Sequence, residues 1–228
     1  MFLYIIRHGE PDYSTDTLTE LGQQQAEAVS LRMEESGIEE IFCSPMGRAR
    51  QTAAPTAARL GLPVTIEPWA EELGKESQTP YPDGKMKNIF WVPTTMLASQ
   101  ENSAIPMEES FEKCPGLCEN GFASRYQYIS MGVDDLIERH GYRRNDKGFY
   151  QAVEPNKKRI ALFCHAGMMR VTLSHIFNIP YQLMGSRFVP WFTGVSIVWF
   201  PDDAEVGEEV APRLYTFGDI GHLHGRPH

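Results

Sequence analysis

Apolar positions along the chain follow two rhythms. Residues 2–6 (FLYII), 41–43 (IFC), 159–164 (RIALFC) and 195–200 (VSIVWF) are short, nearly continuous apolar runs. Strands buried on both faces read this way. Residues 64–66 (VTI) predict a further strand and residues 213–217 (RLYTF) a last one. Between the first runs the rhythm changes to a helical one. Thr19 or Thr17 is placed to cap a helix reaching Ser36, with Leu21, Ala28, Leu31 and Met33 as its apolar face. A second helix is predicted over residues 47–60, closed by Gly61 and Pro63, with Pro55 implying a kink or a late start. The order β-α-β-α-β implies a parallel sheet.

From Gly74 to Cys118 no period survives, and Pro, Gly, Asn and aromatic residues are mixed. Residues 119–140 are again helical in pattern, and 141–155 are polar and rich in turn formers. The segment of about 74–155 is therefore read as an insertion within a single domain spanning 1–228. Its aromatic residues (Tyr81, Phe90, Trp91, Phe111, Phe122, Tyr126, Tyr128) suit a lid over a site, a satellite core or a dimer contact. Trp191 and Phe192 raise the same alternatives. A helix is expected after residue 165, reaching Asn178, and the tail with His222, His224 and His228 is expected to be irregular.

Composition narrows the function. The 228 residues are 42% hydrophobic and 22% charged, with a formal net charge of −9. That balance excludes a general nucleic-acid binder, which needs cations to displace counterions. It leaves a local cationic pocket for a small anion possible. No run approaches the ~20 apolar residues of a membrane span; the apolar run from Phe2 to Ile6, broken at once by Arg7, is too short for a signal-peptide core and no basic stretch precedes it, so a cytoplasmic location is expected. Cys43 and Cys164 end apolar runs as buried thiols do. Cys114 and Cys118 have the spacing of half a metal site or a local disulfide. No second ligand pair lies at zinc-like spacing, so reduced thiols are expected. His222, His224 and His228, with Glu205, Glu208 and Glu209, are read as a solvated segment rather than a metal site.

Two of the predicted strands end in histidine, at Arg7-His8-Gly9 and at Cys164-His165-Ala166-Gly167. A third ends at Ser44-Pro45, with Arg48 at the start of the next helix. The C-terminal edge of an open parallel sheet is where ligands bind. A glycine beyond each histidine lets a backbone N–H approach a ligand, and a helix start adds donors for an anion. An imidazole nitrogen can take a phosphoryl group and release it, splitting one hard step into two. Arg7 and Arg48 offer planar forks for phosphate oxygens. Arg50 is read as a solvated helix residue.

The blocks YIIRHGE (4–10), SPMGRARQTA (44–53) and FCHAG (163–167), in that order, resemble the signature of the histidine phosphatase superfamily, the phosphoglycerate-mutase-like proteins. The resemblance covers roughly residues 1–73 and 119–217. It implies a three-layer α/β/α fold with a mostly parallel central sheet and a large insertion after the third strand. It implies His8 as the phosphorylated nucleophile, with Arg7, Gly9, Arg48 and His165 around the phosphate. In the stretch EPWAEEL (67–73), similar to the family's P-x-L-x-E, Glu72 matches the acid/base and Glu71 is its rival. No metal or other cofactor is implied. Mutases of the family carry R-H-G-x-S-x-W-N, whereas Tyr13 and Ser14 stand here at the last two positions. The expected activity is a metal-independent phosphomonoesterase with a small phosphorylated substrate. The alternatives are a phosphoglycerate-type mutase, or an idle member that binds a phosphorylated ligand or partner. A bell-shaped rate profile with an acidic-to-neutral optimum is expected. Oligomeric state is unread, a dimer being one option.

Overall fold

The computed structural model describes residues 1–80, 84–88 and 121–225. By internal contacts it divides into two units. The first comprises Met1–Glu71, Asp134–Ala166 and Pro190–His228, the second Glu72–Val133 and Gly167–Val189. Residues 134–155 of the expected insertion thus cluster with the first unit.

The first unit holds β1 (Phe2–Arg7), the short hairpin β2 (Pro11–Asp12) and β3 (Thr17–Leu18), α1 (Glu20–Glu35), β4 (Glu40–Cys43), α2 (Gly47–Leu60) and β5 (Val64–Ile66). The second unit holds the hairpin β6 (Gln78–Pro80) and β7 (Met86–Asn88), and most of α3 (Phe122–Glu138). The chain then forms β8 (Tyr142–Arg144), β9 (Tyr150–Ala152) and β10 (Arg159–Cys164) of the first unit. It continues into α4 (Ala166–Phe177) and α5 (Tyr181–Arg187), and ends with β11 (Val195–Trp199), β12 (Glu209–Val210) and β13 (Arg213–Asp219).

A six-stranded sheet in the order β13-β11-β1-β10-β4-β5 is the core of the first unit. β1, β10, β4 and β5 are mutually parallel, and β11 runs antiparallel to both its neighbours. The apolar runs are continuous because both faces are covered. Leu3, Ile5, Ile160 and Leu162 are as fully buried as Ile6, Ala161 and Phe163. On one face Tyr4, Ile6, Ile41, Cys43, Ala161, Phe163 and Val195 cluster with Val29 and Met33 of α1 and with Ala49 and Ala53 of α2.

Thr19 caps α1, its hydroxyl accepting from Gly22 N–H at 3.0 Å. The apolar face of α1 differs from the expected one. Ala28 and Met33 are buried as expected, but Leu31 is exposed, and the buried stripe runs through Gly22, Gln25, Ala26, Val29 and Met33, with Ala28 and Ser30 beside it. That stripe follows the 3.6-residue period, whereas Leu31 lies about 200° around from Val29. α2 runs unbroken through Pro55 from Gly47, so it does not start late. Residues 141–155 are not all turn, for β8, β9 and β12 form a small antiparallel sheet. The tail closes in a short 3-10 turn at Gly221–Leu223. His228, Cys114, Cys118, Tyr81, Phe90, Trp91 and Phe111 lie outside the described residues.

In the second unit Phe122 is fully buried against Tyr181, with ring centroids 4.6 Å apart, and Tyr126 lies beside both. Tyr128 is about half exposed. Among the described residues no helix is long and apolar enough to cross a membrane.

Candidate active site

The register of the sheet brings the two histidines together. Arg7 pairs with Cys164 in the β1–β10 ladder, and His8 N–H donates to Cys164 O at 2.9 Å. His8 and His165 therefore leave adjacent parallel strands at the same edge. Their rings are 5.2 Å apart between centroids. Ser44 directly follows β4, the next strand over, and its N–H donates to Phe163 O. From the other side the loop before β11 closes in, with Thr193 N–H donating to His8 O at 3.2 Å and Gly194 O accepting from Arg7 N–H.

His8 is 1% exposed, and its Nδ1 lies 2.7 Å from the carbonyl oxygen of Gly9. A carbonyl only accepts, so Nδ1 carries the proton and Nε2 carries the lone pair. Burial pushes the His8 pKa from its ordinary 6.5 down to about 3. The Arg7 and Arg48 charges add to that lowering, while the Gly9 hydrogen bond and Asp16 oppose it. The result is a neutral imidazole with a nucleophilic Nε2. His165, fully buried, has Nε2 2.8 Å from Ser44 Oγ.

Arg7 Nη1 donates to Pro190 O at 2.7 Å, and its guanidinium lies 4.0 Å over the Phe192 ring. Phe192 in turn sits 5.8 Å from the His8 ring. That gives Phe192 a place beside the first histidine, whereas Trp191 points out and is 60% exposed. Arg48 is 5% exposed. Its Nη1 pairs with Asp16 Oδ1 at 2.5 Å, and Tyr13 lies 5.5 Å from the guanidinium carbon. Arg50 is exposed, as expected.

Gly9 requires a correction. Its N–H was expected to face a ligand, but it donates to Thr52 Oγ1 at 3.0 Å. The missing side chain serves packing instead, since a Cβ at Gly9 would stand 2.6 Å from Gly22 O. The glycine lets α1 approach the loop after β1.

Glu72 lies in the second unit. Its two carboxylate oxygens accept from Gly167 N–H at 3.1 Å and Met168 N–H at 2.9 Å, in the first turn of α4. Leu73 N–H adds a third bond at 2.9 Å. The rival Glu71 is exposed.

Asp16, Ser44, Thr52, Phe192 and Thr193 were not singled out as site residues from sequence. Ser44 was legible as the end of a strand beside His165's strand; the others depend on chain segments folding back. Among the described residues no group of three or more His, Cys, Asp or Glu side chains could hold a metal ion.

A family model described as the histidine phosphatase superfamily (branch 1) matches residues 3–114. A probable phosphatase of Schizosaccharomyces pombe is 23% identical over 98% of this chain and 95% of its own length. The probable phosphoglycerate mutase GpmB of Erwinia tasmaniensis is 31% identical over 58% of this chain and 69% of its own. A mutant phosphoserine phosphatase from Entamoeba histolytica, solved with phosphoserine, superposes with a TM-score of 0.63 at 19% identity, covering 97% of this chain and 98% of that one. A mycobacterial glucosyl-3-phosphoglycerate phosphatase superposes with a TM-score of 0.61 at 17% identity, over 95% and 98%. At those identities the two solved structures bear on the fold alone.

Proposed function

Because the chain belongs to the histidine phosphatase superfamily, we propose that it is a metal-independent phosphomonoesterase working through a phosphorylated His8. The observation that carries this reading is the bond from His8 Nδ1–H to Gly9 O, which leaves the Nε2 lone pair for attack. In the first step Nε2 bonds to phosphorus as the phosphorus–oxygen bond to the alcohol breaks. The leaving oxygen takes a proton from Glu72. In the second step water attacks phospho-His8, gives its proton to Glu72, and the phosphorus–nitrogen bond breaks to return His8 and free phosphate.

Arg7, Arg48 and His165 balance the charge on the transferring group. Ser44 Oγ accepts from Met46 N–H at 3.3 Å and has one proton to give to His165 Nε2. With that proton given to Nε2, the ring takes the tautomer whose Nδ1–H is a donor. Glu72 is favoured over Glu71 by its matching position and by three backbone bonds that hold its carboxylate still.

The substrate class proposed is a small phosphomonoester, the kind of ligand named for the structurally similar Entamoeba histolytica enzyme. Residues 74–155 are proposed to shape its choice. Two buried thiols outside any disulfide, Cys43 and Cys164, suit the reducing cytoplasm proposed for it. The 31% identity to GpmB favours a second reading, a mutase in which phospho-His8 survives to meet a second hydroxyl.

The test is turnover of p-nitrophenyl phosphate in excess chelator by the wild type and by His8→Ala. Activity confined to the wild type supports the phosphatase. Equal activity in His8→Ala refutes it, and conversion of a phosphoglycerate to its isomer without phosphate release establishes the mutase.

A further inference from the structure

The tip of the β2–β3 hairpin hydrogen-bonds to the start of α2 through Asp16, with Tyr13 beside the Arg48 guanidinium. Asp16 Oδ1 binds Arg48 Nη1 at 2.5 Å, and Oδ2 accepts from Gly47 N–H at 2.6 Å. The contact is close-fitted. A Cβ on Gly47 would stand 2.3 Å from Asp16 O, so only glycine fits there. Asp16 itself has φ 54°, in the left-handed region that non-glycine residues seldom enter. α2 has no side-chain cap of its own at Met46, so the hairpin carboxylate supplies the acceptor.

The rest of the Arg48 guanidinium shows what this arrangement leaves open. Nη2 meets only the Met46 sulfur, at 3.4 Å, and the buried Nε has no hydrogen-bond partner among the described residues. A buried guanidinium N–H without a partner is costly. The Nε–Nη2 edge is the face of arginine that grips two phosphate oxygens at once.

We infer that Asp16 is a positioning residue: its carboxylate holds Arg48 by Nη1 so that the Nε–Nη2 edge is presented to the substrate phosphoryl group. This rests on the phosphoryl-transfer reading of His8 and Arg48. It assigns the hairpin tip a part in substrate binding that no sequence motif marks.

The experiment separates positioning from a turn-making role. Asn and Gly both accept the left-handed backbone of residue 16, so Asp16→Asn and Asp16→Gly keep the turn while removing the charge. Inorganic phosphate binding by calorimetry and kcat/KM on p-nitrophenyl phosphate are measured for both, alone and with Arg48→Ala, alongside thermal unfolding. Phosphate affinity and kcat/KM are expected to fall by roughly 10- to 100-fold in both, with a melting temperature near the wild type's in Asp16→Asn, whose amide oxygen can still accept from Gly47 N–H, and a lower one in Asp16→Gly, which loses that cap. In the Arg48→Ala background the same changes should have almost no further effect.

Wild-type affinity and kcat/KM in Asp16→Asn would overturn the inference. So would tighter phosphate binding, the sign of a carboxylate that competes with substrate. Equal losses with and without Arg48 would also overturn it. A wild type that binds phosphate without turnover removes the phosphatase reading, while the affinities still decide Asp16. A wild type that binds none overturns both.

Discussion

The buried neutral His8 makes a specific demand on stability in acid. In the unfolded chain an imidazole takes up a proton near its ordinary 6.5, whereas in the folded protein burial holds it off until about 3. Between those values the unfolded state binds a proton that the native state does not, so stability falls as pH drops. From about pH 7 to about pH 5 the loss assignable to this one group is about 2 kcal/mol, at ~1.4 kcal/mol per pH unit below 6.5. His8→Asn isolates it. The Asn amide N–H stands near the position of Nδ1 and can still donate to Gly9 O, while the titrating ring is gone. Urea unfolding of both proteins at the two pH values gives the comparison, and the other histidines cancel in the difference. The wild type should lose about 2 kcal/mol more than the variant. Parallel losses would show that His8 is not held neutral by burial.

Further consequences concern the same elements. With His8 already neutral well below pH 6.5, its own ionisation should not produce the acid limb of the kcat/KM profile. The acid break should instead move with the second phosphate pKa when esters of differing pKa are compared, and a break fixed across substrates would contradict this. Arg48→Lys keeps the charge but loses the fork, and kcat/KM is expected to drop about 100-fold; a drop below threefold, in steady-state kinetics, would argue against a gripping role. Gly22→Ala ought to stabilise an ordinary helix by about 1 kcal/mol. Here a Cβ would stand 2.1 Å from Glu10 O, so thermal unfolding should show a loss of about 2 kcal/mol instead.

What the sequence disclosed, and what it did not, divides along physical lines. β1, β4 and β10 were legible because strands covered on both faces write continuous apolar runs that stop where the ligand edge begins. The same stops marked His8 and His165, and the ladder pairing of Arg7 with Cys164 places them side by side. β8, β9 and β12 left no such trace. They are two or three residues long and alternate exposed with buried positions. The face of α1 was misjudged at Leu31, where residue type suggested burial and helical phase decided otherwise. Gly9 was correctly noticed and given the wrong reason, since the atom it avoids belongs to Gly22, thirteen positions on. Asp16 was invisible for the same cause. Its two partners lie on another element, and only the fold-back of the β2–β3 hairpin brings them within reach.

If the phosphoryl group passes through His8, the phosphoenzyme can be trapped. Protein mixed with a rapidly cleaved phosphomonoester is quenched in alkali, which spares phosphohistidine, then digested and mapped by mass spectrometry. One phosphoryl group is expected on the peptide carrying His8, formed at the rate of the first product burst and missing from His8→Asn. A phosphoryl group on another residue, or full turnover with no phosphohistidine formed, would contradict transfer through His8.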